Sequence, residues 1–373
     1  MRVRGAVLRE MGRPAPYAES RPLEIAELEL APPGPGELLV KVGAAGLCHS
    51  DLSVIDGSRP RVMPMVLGHE AAGTVVAVGP DVKGFAEGDH VVLAFVPVCG
   101  ECAPCTTGRP ALCEPGAKAN VAGTLLSGER RFSGPEGEEL NHHLGVSAFC
   151  DHVVVDQHSA VKVDPDLPFE IAALFGCAVL TGVGAALNAA QVAEGETVAV
   201  FGLGGVGLAA LLGARLAGAG RIVAVDLVDE KLDHARRLGA VPVKADENVV
   251  EAVREATGGG AQKAIETVGN ARVLAQAYEA TGRGGVTVTV GLPHPDQRLD
   301  IQAVSLVTEE RTLKGSYLGS CDPRTDIPKL IDYYKDGRLP VDELLTHKIA
   351  LEDVNEAFDR LRTGGAVRQA IIF

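Results

Sequence analysis

The chain has 373 residues, 46% hydrophobic and 23% charged, with a net charge of −14. That length exceeds one ordinary core and predicts two domains, and the composition is that of a folded globular protein without low-complexity tracts or internal repeats. The negative charge argues against a nucleic-acid groove or an anionic membrane surface as partner.

The N-terminus, MRVRGAVLREMGRP, lacks the apolar run of a signal peptide. Next comes GLCHSD, with Cys48, His49, Ser50 and Asp51, followed by PMVLGHEAAG, with His69 and Glu70. Much later comes LFGCAVLTG, with Cys177. Two thiolates and one imidazole around zinc leave a fourth position open for water or substrate. Spacing alone does not single this trio out, because eight cysteines and ten histidines offer several such sets. Isolated Cys and His residues on apolar segments commonly belong to the core.

The stretch CGECAPCTTGRPALC is more specific. Cys99, Cys102, Cys105 and Cys113 follow the pattern C-x2-C-x2-C-x7-C. Such short steps bring thiolates close enough to share one tetrahedral ion. Gly100, Pro104, Gly108 and Pro110 are expected to keep the segment out of helix and strand. A loop of that kind needs a tie, and zinc supplies one; reduced spare thiols, a redox pair and an iron–sulfur cluster are the rival readings. Four sulfur ligands close the coordination, so this zinc is structural.

Two uncharged runs, Ile171–Ala193 and Thr197–Ala214, approach the length of a bilayer span. Their Gly and Ala content, Asn188, Gln191 and the intervening Glu194 and Glu196 favour buried segments of an α/β domain. No membrane association is expected. The protein is predicted to be cytoplasmic, where thiols stay reduced.

Thr197–Phe201 reads as a short buried strand. GLGGVG follows, with Gly202, Gly204 and Gly207 in G-x-G-x-x-G register and Gly205 and Val206 opening a helix to about Ala217. Arg221–Val225 reads as a second strand with Asp226 at its end, nineteen residues past Gly207. The glycines permit a tight turn and close approach of a pyrophosphate, whose charge meets the helix N-terminus. Asp226 is placed to accept from the adenosine ribose hydroxyls and to repel a 2′-phosphate, which favours NAD over NADP. A tightly packed βαβ unit without ligand is the alternative.

With these segments in the order GHEAAGTVVAVG, four-cysteine loop, FGCAVLTGVGA and GLGGVG, the chain resembles the zinc-dependent medium-chain alcohol dehydrogenases over nearly its whole length. It is most similar to their liver-type and glutathione-dependent formaldehyde (class III) branch. The resemblance implies an α/β fold in which a Rossmann doubly wound parallel sheet is inserted into a mainly β, GroES-like catalytic domain. The expected division is 1–178 and 322–373 for the catalytic domain and 179–321 for the NAD-binding domain, with the chemistry in the cleft between them. Two Zn²⁺ per chain and NAD are the implied cofactors.

Residue by residue, the resemblance implies that Cys48, His69 and Cys177 hold the catalytic zinc. Glu70 stands behind it, Asp51 partners His69, and Ser50 takes the alcohol proton. His49 and Arg368 are implied to contact cofactor phosphates, Lys231 the adenosine and Thr181 the nicotinamide. Phe95 walls the substrate pocket. The implied reaction is reversible oxidation of a primary or secondary alcohol to an aldehyde or ketone, in a homodimer or homotetramer. Gly285–Gly291 and Arg311–Leu318 are expected to supply sheet edges for that assembly.

Several positions depart from the family pattern. Ser53 stands where the liver-type proton relay has histidine. In the region DGSRPRVMP, Arg59 and Arg61 replace the acidic cluster that binds the glutathione adduct, and Ala117 stands where class III enzymes carry arginine. His142 and His143 occupy positions where bulky residues face the pocket. Cys150 and Cys321 match nothing and read as buried thiols. A thiol-adduct formaldehyde dehydrogenase and an NAD-binding zinc protein acting as redox sensor are the alternative functions. A zinc-free reductase of activated double bonds would lack both cysteine sets.

Overall fold

The computed structural model describes residues 1–373 and divides into two compact units. The first comprises Met1–Cys177, Asp322–Ile331 and Leu345–Phe373. It is mainly β. A closed barrel runs through Arg2–Leu8, Leu23–Leu30, Phe132–Ser133, Glu139–His142 and Met65–Val66. A seven-stranded sheet runs Ala160–Val163, His90–Leu93, Glu70–Val78, Glu37–Gly46, Arg368–Ile372 and Leu345–Ile349, with His152–Asp156 also paired to Glu37–Gly46. The barrel core is apolar and includes Leu8, Leu28, Leu30, Phe132, Phe149 and Phe358, all at most 1% exposed. Polar residues between them, such as Glu27 and Glu29 on Leu23–Leu30, face outward, as the period of two requires.

The second unit comprises Ala178–Cys321 and Asp332–Leu344. Its six strands run Val241–Lys244, Arg221–Asp226, Thr197–Phe201, Ala261–Glu266, Thr281–Thr289 and Thr312–Gly315, all parallel. Numbered along the chain this order is 3-2-1-4-5-6, that of a Rossmann dinucleotide fold. Val198–Phe201 is buried without alternation because both faces of a parallel sheet are covered.

Three expectations need correction. The segment Asp332–Leu344 groups with the second unit rather than the first, since Leu339, Val341 and Leu344 are fully buried and the turn Val341–Leu344 packs on the helix Gly205–Leu216. The strand Thr281–Thr289 lies between two neighbours, so of the two expected sheet edges only Arg311–Leu318 carries one, at Thr312–Gly315. The cysteine loop does hold regular structure: one helical turn at Ala103–Thr106 and a 3₁₀ turn at Pro110–Leu112. Pro104 and Pro110 sit in the first positions of those turns, where no backbone N–H is required. No single helix is long and apolar enough to cross a membrane. The two uncharged runs are broken at Cys177 and at the Phe201–Gly205 turn.

Candidate active site

In the first unit the four loop cysteines converge, with their sulfurs all within 4.8 Å of one another. Cys102 and Cys105 sulfurs are 3.4 Å apart and no disulfide forms. Backbone N–H groups of Cys102 and Glu101 point at the Cys99 sulfur at 3.4 and 3.5 Å, and that of Cys99 at the Cys113 sulfur at 3.4 Å. Gly100 at φ +81° makes the turn between the first two cysteines. Burial pushes the Cys105 thiol up to about 12 and raises Cys113 as well. Four converging sulfurs, met by backbone N–H groups of their own loop, fit a closed, tetrahedral zinc site.

The second convergence is fully buried. Cys48 ends the loop after Glu37–Gly46 and precedes the helix His49–Ile55; His69 lies just before Glu70–Val78; Cys177 follows the 3₁₀ turn Ala173–Gly176. Ligand atoms of Cys48, His69, Glu70 and Cys177 lie within 4.8 Å of one another. The hydrogen bond with Cys177 holds Cys48 well below the usual thiol range, aided by His69 and Arg368, while Cys177, donor of that bond and buried, is raised. Two buried sulfurs sharing a proton are a set from which a divalent cation displaces protons. His69 Nε2 is buried without a hydrogen-bond partner, while Nδ1 lies 3.0 Å from Asp51 Oδ1. An imidazole anchored through one nitrogen and bare at the other fits a metal ligand.

Asp51 does two jobs. Its Oδ2 accepts from the Cys48 N–H at 3.1 Å, capping the helix His49–Ile55, and its Oδ1 accepts from the Gly68 N–H at 3.3 Å as well as from His69. Burial opposes its charge, but His69 and His143 hold its carboxyl below the usual range. Phe95 meets the His69 ring edge-on, with centroids 5.6 Å apart.

In the second unit, Gly202 takes φ +89° to make the turn, and a Cβ at Gly207 would stand 1.8 Å from the Gly202 carbonyl oxygen. A Cβ on Gly204 would meet nothing within 4 Å. The first and third glycines are therefore required by the fold, and the second leaves open space before the helix N-terminus at Gly205 and Val206. Asp226 accepts from the Leu203 and Val228 N–H groups at 2.7 and 2.9 Å, so its carboxylate is fixed against the glycine turn. Lys231 lies on the helix Asp229–Arg237, and Thr181 is buried on Ala178–Gly184. Open space beside an anchored acid fits an adenine dinucleotide.

Arg368, implied as a phosphate contact, pairs inside the metal-binding unit. It is 4% exposed, bonded to the Glu70 carboxylate and donating to the Leu47 carbonyl at 3.0 Å. Burial pushes Glu70 up to about 7 against the pull of Arg368. This pairing had no sequence signal, because 298 residues separate the partners. His49 is exposed at the start of its helix and Ser50 half-buried beside it. The Ser53 hydroxyl donates to the His49 carbonyl at 2.9 Å. His142 accepts from the Arg131 N–H at 3.1 Å, and burial with Arg130 and Arg131 lowers it to about 3. Its neighbour His143 was the functional contact that sequence reading left undecided: its Nδ1 is 3.1 Å from Asp51 Oδ1. Cys150 and Cys321 are buried thiols.

The alcohol dehydrogenase GroES-like domain family matches residues 34–165, and the zinc-binding dehydrogenase family matches residues 205–336. The S-(hydroxymethyl)glutathione dehydrogenase of Paracoccus denitrificans is 37% identical over the full length of both chains. Among solved structures, an alcohol dehydrogenase zinc-binding domain protein from Burkholderia ambifaria superposes with a TM-score of 0.93 at 37% identity, covering 100% of this chain and 99% of the other. Benzyl alcohol dehydrogenase from Acinetobacter calcoaceticus gives 0.90 at 33% identity, with the same coverage. With two cysteine-rich metal sets and a Rossmann glycine turn in place, the chain belongs to the zinc-dependent medium-chain alcohol dehydrogenases, in a class III-like branch, and is an NAD-dependent oxidoreductase of that family.

Proposed function

We propose that this enzyme oxidises a primary or secondary alcohol reversibly to the aldehyde or ketone, with NAD as hydride acceptor. One observation carries the reading: the buried Cys48, His69 and Cys177 set, in which His69 is anchored to Asp51 and bare at Nε2. Those three residues would hold the catalytic zinc, and Cys99, Cys102, Cys105 and Cys113 a structural one. Bound at the first set, zinc supplies Lewis acidity that brings the pKa of an alcohol toward neutrality.

The chain's own residues do the rest. Asp51 fixes the His69 tautomer and aims its free nitrogen. Arg368 keeps the buried Glu70 carboxylate paired beside the ligands. Phe95 walls the reacting carbon from water. Ser50, at the exposed end of its helix, accepts the alcohol's proton as it releases its own outward to solvent. Asp226 accepts from the ribose hydroxyls, the space at Gly204 admits the pyrophosphate, and Thr181, His49 and Lys231 complete the cofactor contacts. The edge strand Thr312–Gly315 supports a homodimer or homotetramer joined through that sheet, in the cytoplasm.

A second reading is favoured by the Paracoccus relative, whose name specifies a glutathione adduct. Against it stand Arg59, Arg61 and Ala117 in place of the acidic cluster and the arginine. The deciding measurement is NADH formation by zinc-replete enzyme with aliphatic and aromatic alcohols, against formaldehyde plus glutathione or another small thiol. Turnover with alcohols alone is expected. Turnover with a thiol adduct alone would exchange the two readings.

A further inference from the structure

We infer that His143 is a positioning residue for the metal-binding histidine, acting through the Asp51 oxygen that both imidazoles share. The inference rests on the catalytic-zinc reading above and adds a residue to it.

His143 is 1% exposed. Its Nδ1 is buried, and Asp51 Oδ1 lies 3.1 Å from it, somewhat off the N–H direction. A buried ring N–H without an acceptor is unfavourable, so a small ring rotation toward that oxygen is favoured. His69 Nδ1 reaches the same atom at 3.0 Å. The two rings stand perpendicular, at 87° with centroids 5.4 Å apart, so each limits the other's rotation. One carboxylate oxygen is thus gripped from two sides.

The backbone places His143 deliberately. Strand Glu139–His142 pairs in parallel with Met65–Val66, putting His142 opposite Val66 and therefore His143 beside the Leu67–His69 segment. The chain then turns sharply. The N–H groups of Val146 and Ser147 return to the His143 carbonyl at 3.1 and 3.2 Å, and the His143 N–H donates to Ser147 Oγ at 2.8 Å. Leu144 and Ser147 take φ of +53° and +56° to close this turn. A left-handed conformation at a non-glycine residue is unfavourable and persists where the surroundings demand it. Here the turn holds the imidazole on Asp51. Without His143, the Asp51 Oδ1 keeps only His69 and the longer Gly68 contact, and the carboxylate that orients the ligand is freer to rotate.

The test is zinc release to a chelator from holoenzyme, followed as two separate equivalents per chain. The four-cysteine zinc serves as an internal check that the first unit is folded. Partners of ligating histidines contribute about 10–100-fold to metal retention, so His143→Leu is expected to release the catalytic zinc about tenfold faster while the loop zinc is unchanged. His143→Asn, whose amide N–H stands where Nδ1 does, is expected to stay within about twofold of wild type. In an Asp51→Asn background, His143→Leu is expected to add less than about twofold, because the effect runs through the carboxylate. Should His143→Leu lose both zincs, His143→Phe, closer in shape, takes its place. Wild-type release rates in the Leu and Phe variants would overturn the inference. So would equal release by the Asn and Leu variants, or an undiminished effect without Asp51. A wild-type enzyme holding only the loop zinc would overturn both this inference and the proposed function, whereas a catalytic zinc indifferent to His143 overturns the inference alone.

Discussion

Cys99, Cys102, Cys105 and Cys113 come from fifteen consecutive residues, whereas Cys48, His69 and Cys177 are separated by 21 and 108 residues. In the first set three of the four cysteines are partly exposed, and the nearest polar groups are backbone N–H. In the second every ligand is buried, and polar and charged side chains stand behind the ligands: Asp51, His143, Glu70 and Arg368. A closed sulfur site needs little beyond its own loop, because four thiolates and a few amides satisfy the metal's charge and geometry. An open site leaves a ligand position vacant for chemistry, so the remaining ligands must be held by neighbours that the fold brings from far away.

Substitutions at the two centres should therefore fail in different ways. The largest effect is expected for His69→Asn, whose amide N–H stands where Nδ1 does and keeps the Asp51 bond while the Nε2 ligand is lost. It should lower kcat/KM by about 10³-fold or more and cost less thermal stability than loss of a loop cysteine, since lost Lewis acidity is worth several kcal/mol in the transition state. Steady-state kinetics with zinc counting and a melting curve check both halves; equal loss of stability and activity would break the contrast. Cys105→Ser should do the reverse. Loss of a structural metal belongs among the most damaging changes, about 4 kcal/mol, or about 8 °C in Tm, with a smaller change in kcat measured below the transition.

Acid should strip zinc from the loop. In the metal-free loop Cys105 and Cys113 are raised, so both carry protons at neutral pH and zinc must displace them. With Cys102 at about 7 adding to these two, at least two protons are released per ion, and zinc affinity should fall by about 100-fold or more per pH unit as pH drops below neutrality, which competition with a chromogenic chelator across pH 6–8 would measure. A slope near zero would mean that the thiols are already ionised. The smallest effect is expected for Gly100→Ala, a left-handed residue between the first two cysteines. A strain of about 1–2 kcal/mol should weaken zinc in the loop by about tenfold and leave catalytic zinc release unchanged.

The same contrast governs what was legible in the sequence. The loop announces itself because its ligands are neighbours in the chain, and the glycine turn with Asp226 does so because strand, turn, helix and acid follow one another. Cys48, His69 and Cys177 stood out only through resemblance, since nothing in their spacing says that the end of one strand, the start of another and a distant 3₁₀ turn meet. Asp51 was implied only as the partner of His69, and it also caps its own helix, one oxygen for each. The Arg368–Glu70 pair and the grip of His143 on Asp51 were out of reach, because they depend on which strand adds to which sheet. The segment Asp332–Leu344 was misassigned for a similar reason: its apolar residues are ordinary in sequence, and only packing decides which core receives them.

The Arg368–Glu70 pair also sets an order of events during synthesis. Glu70 is made early and lies fully buried, yet its guanidinium partner follows 298 residues later. Sealing that carboxylate inside the barrel unit before Arg368 exists would strand an uncompensated charge. Nearly all of the parallel-sheet unit, Ala178–Cys321, is translated in the interval as one contiguous stretch. A nascent chain leaving the ribosome would thus complete its nucleotide-binding half while the metal-binding half stays open, and close the latter only when its last strand arrives.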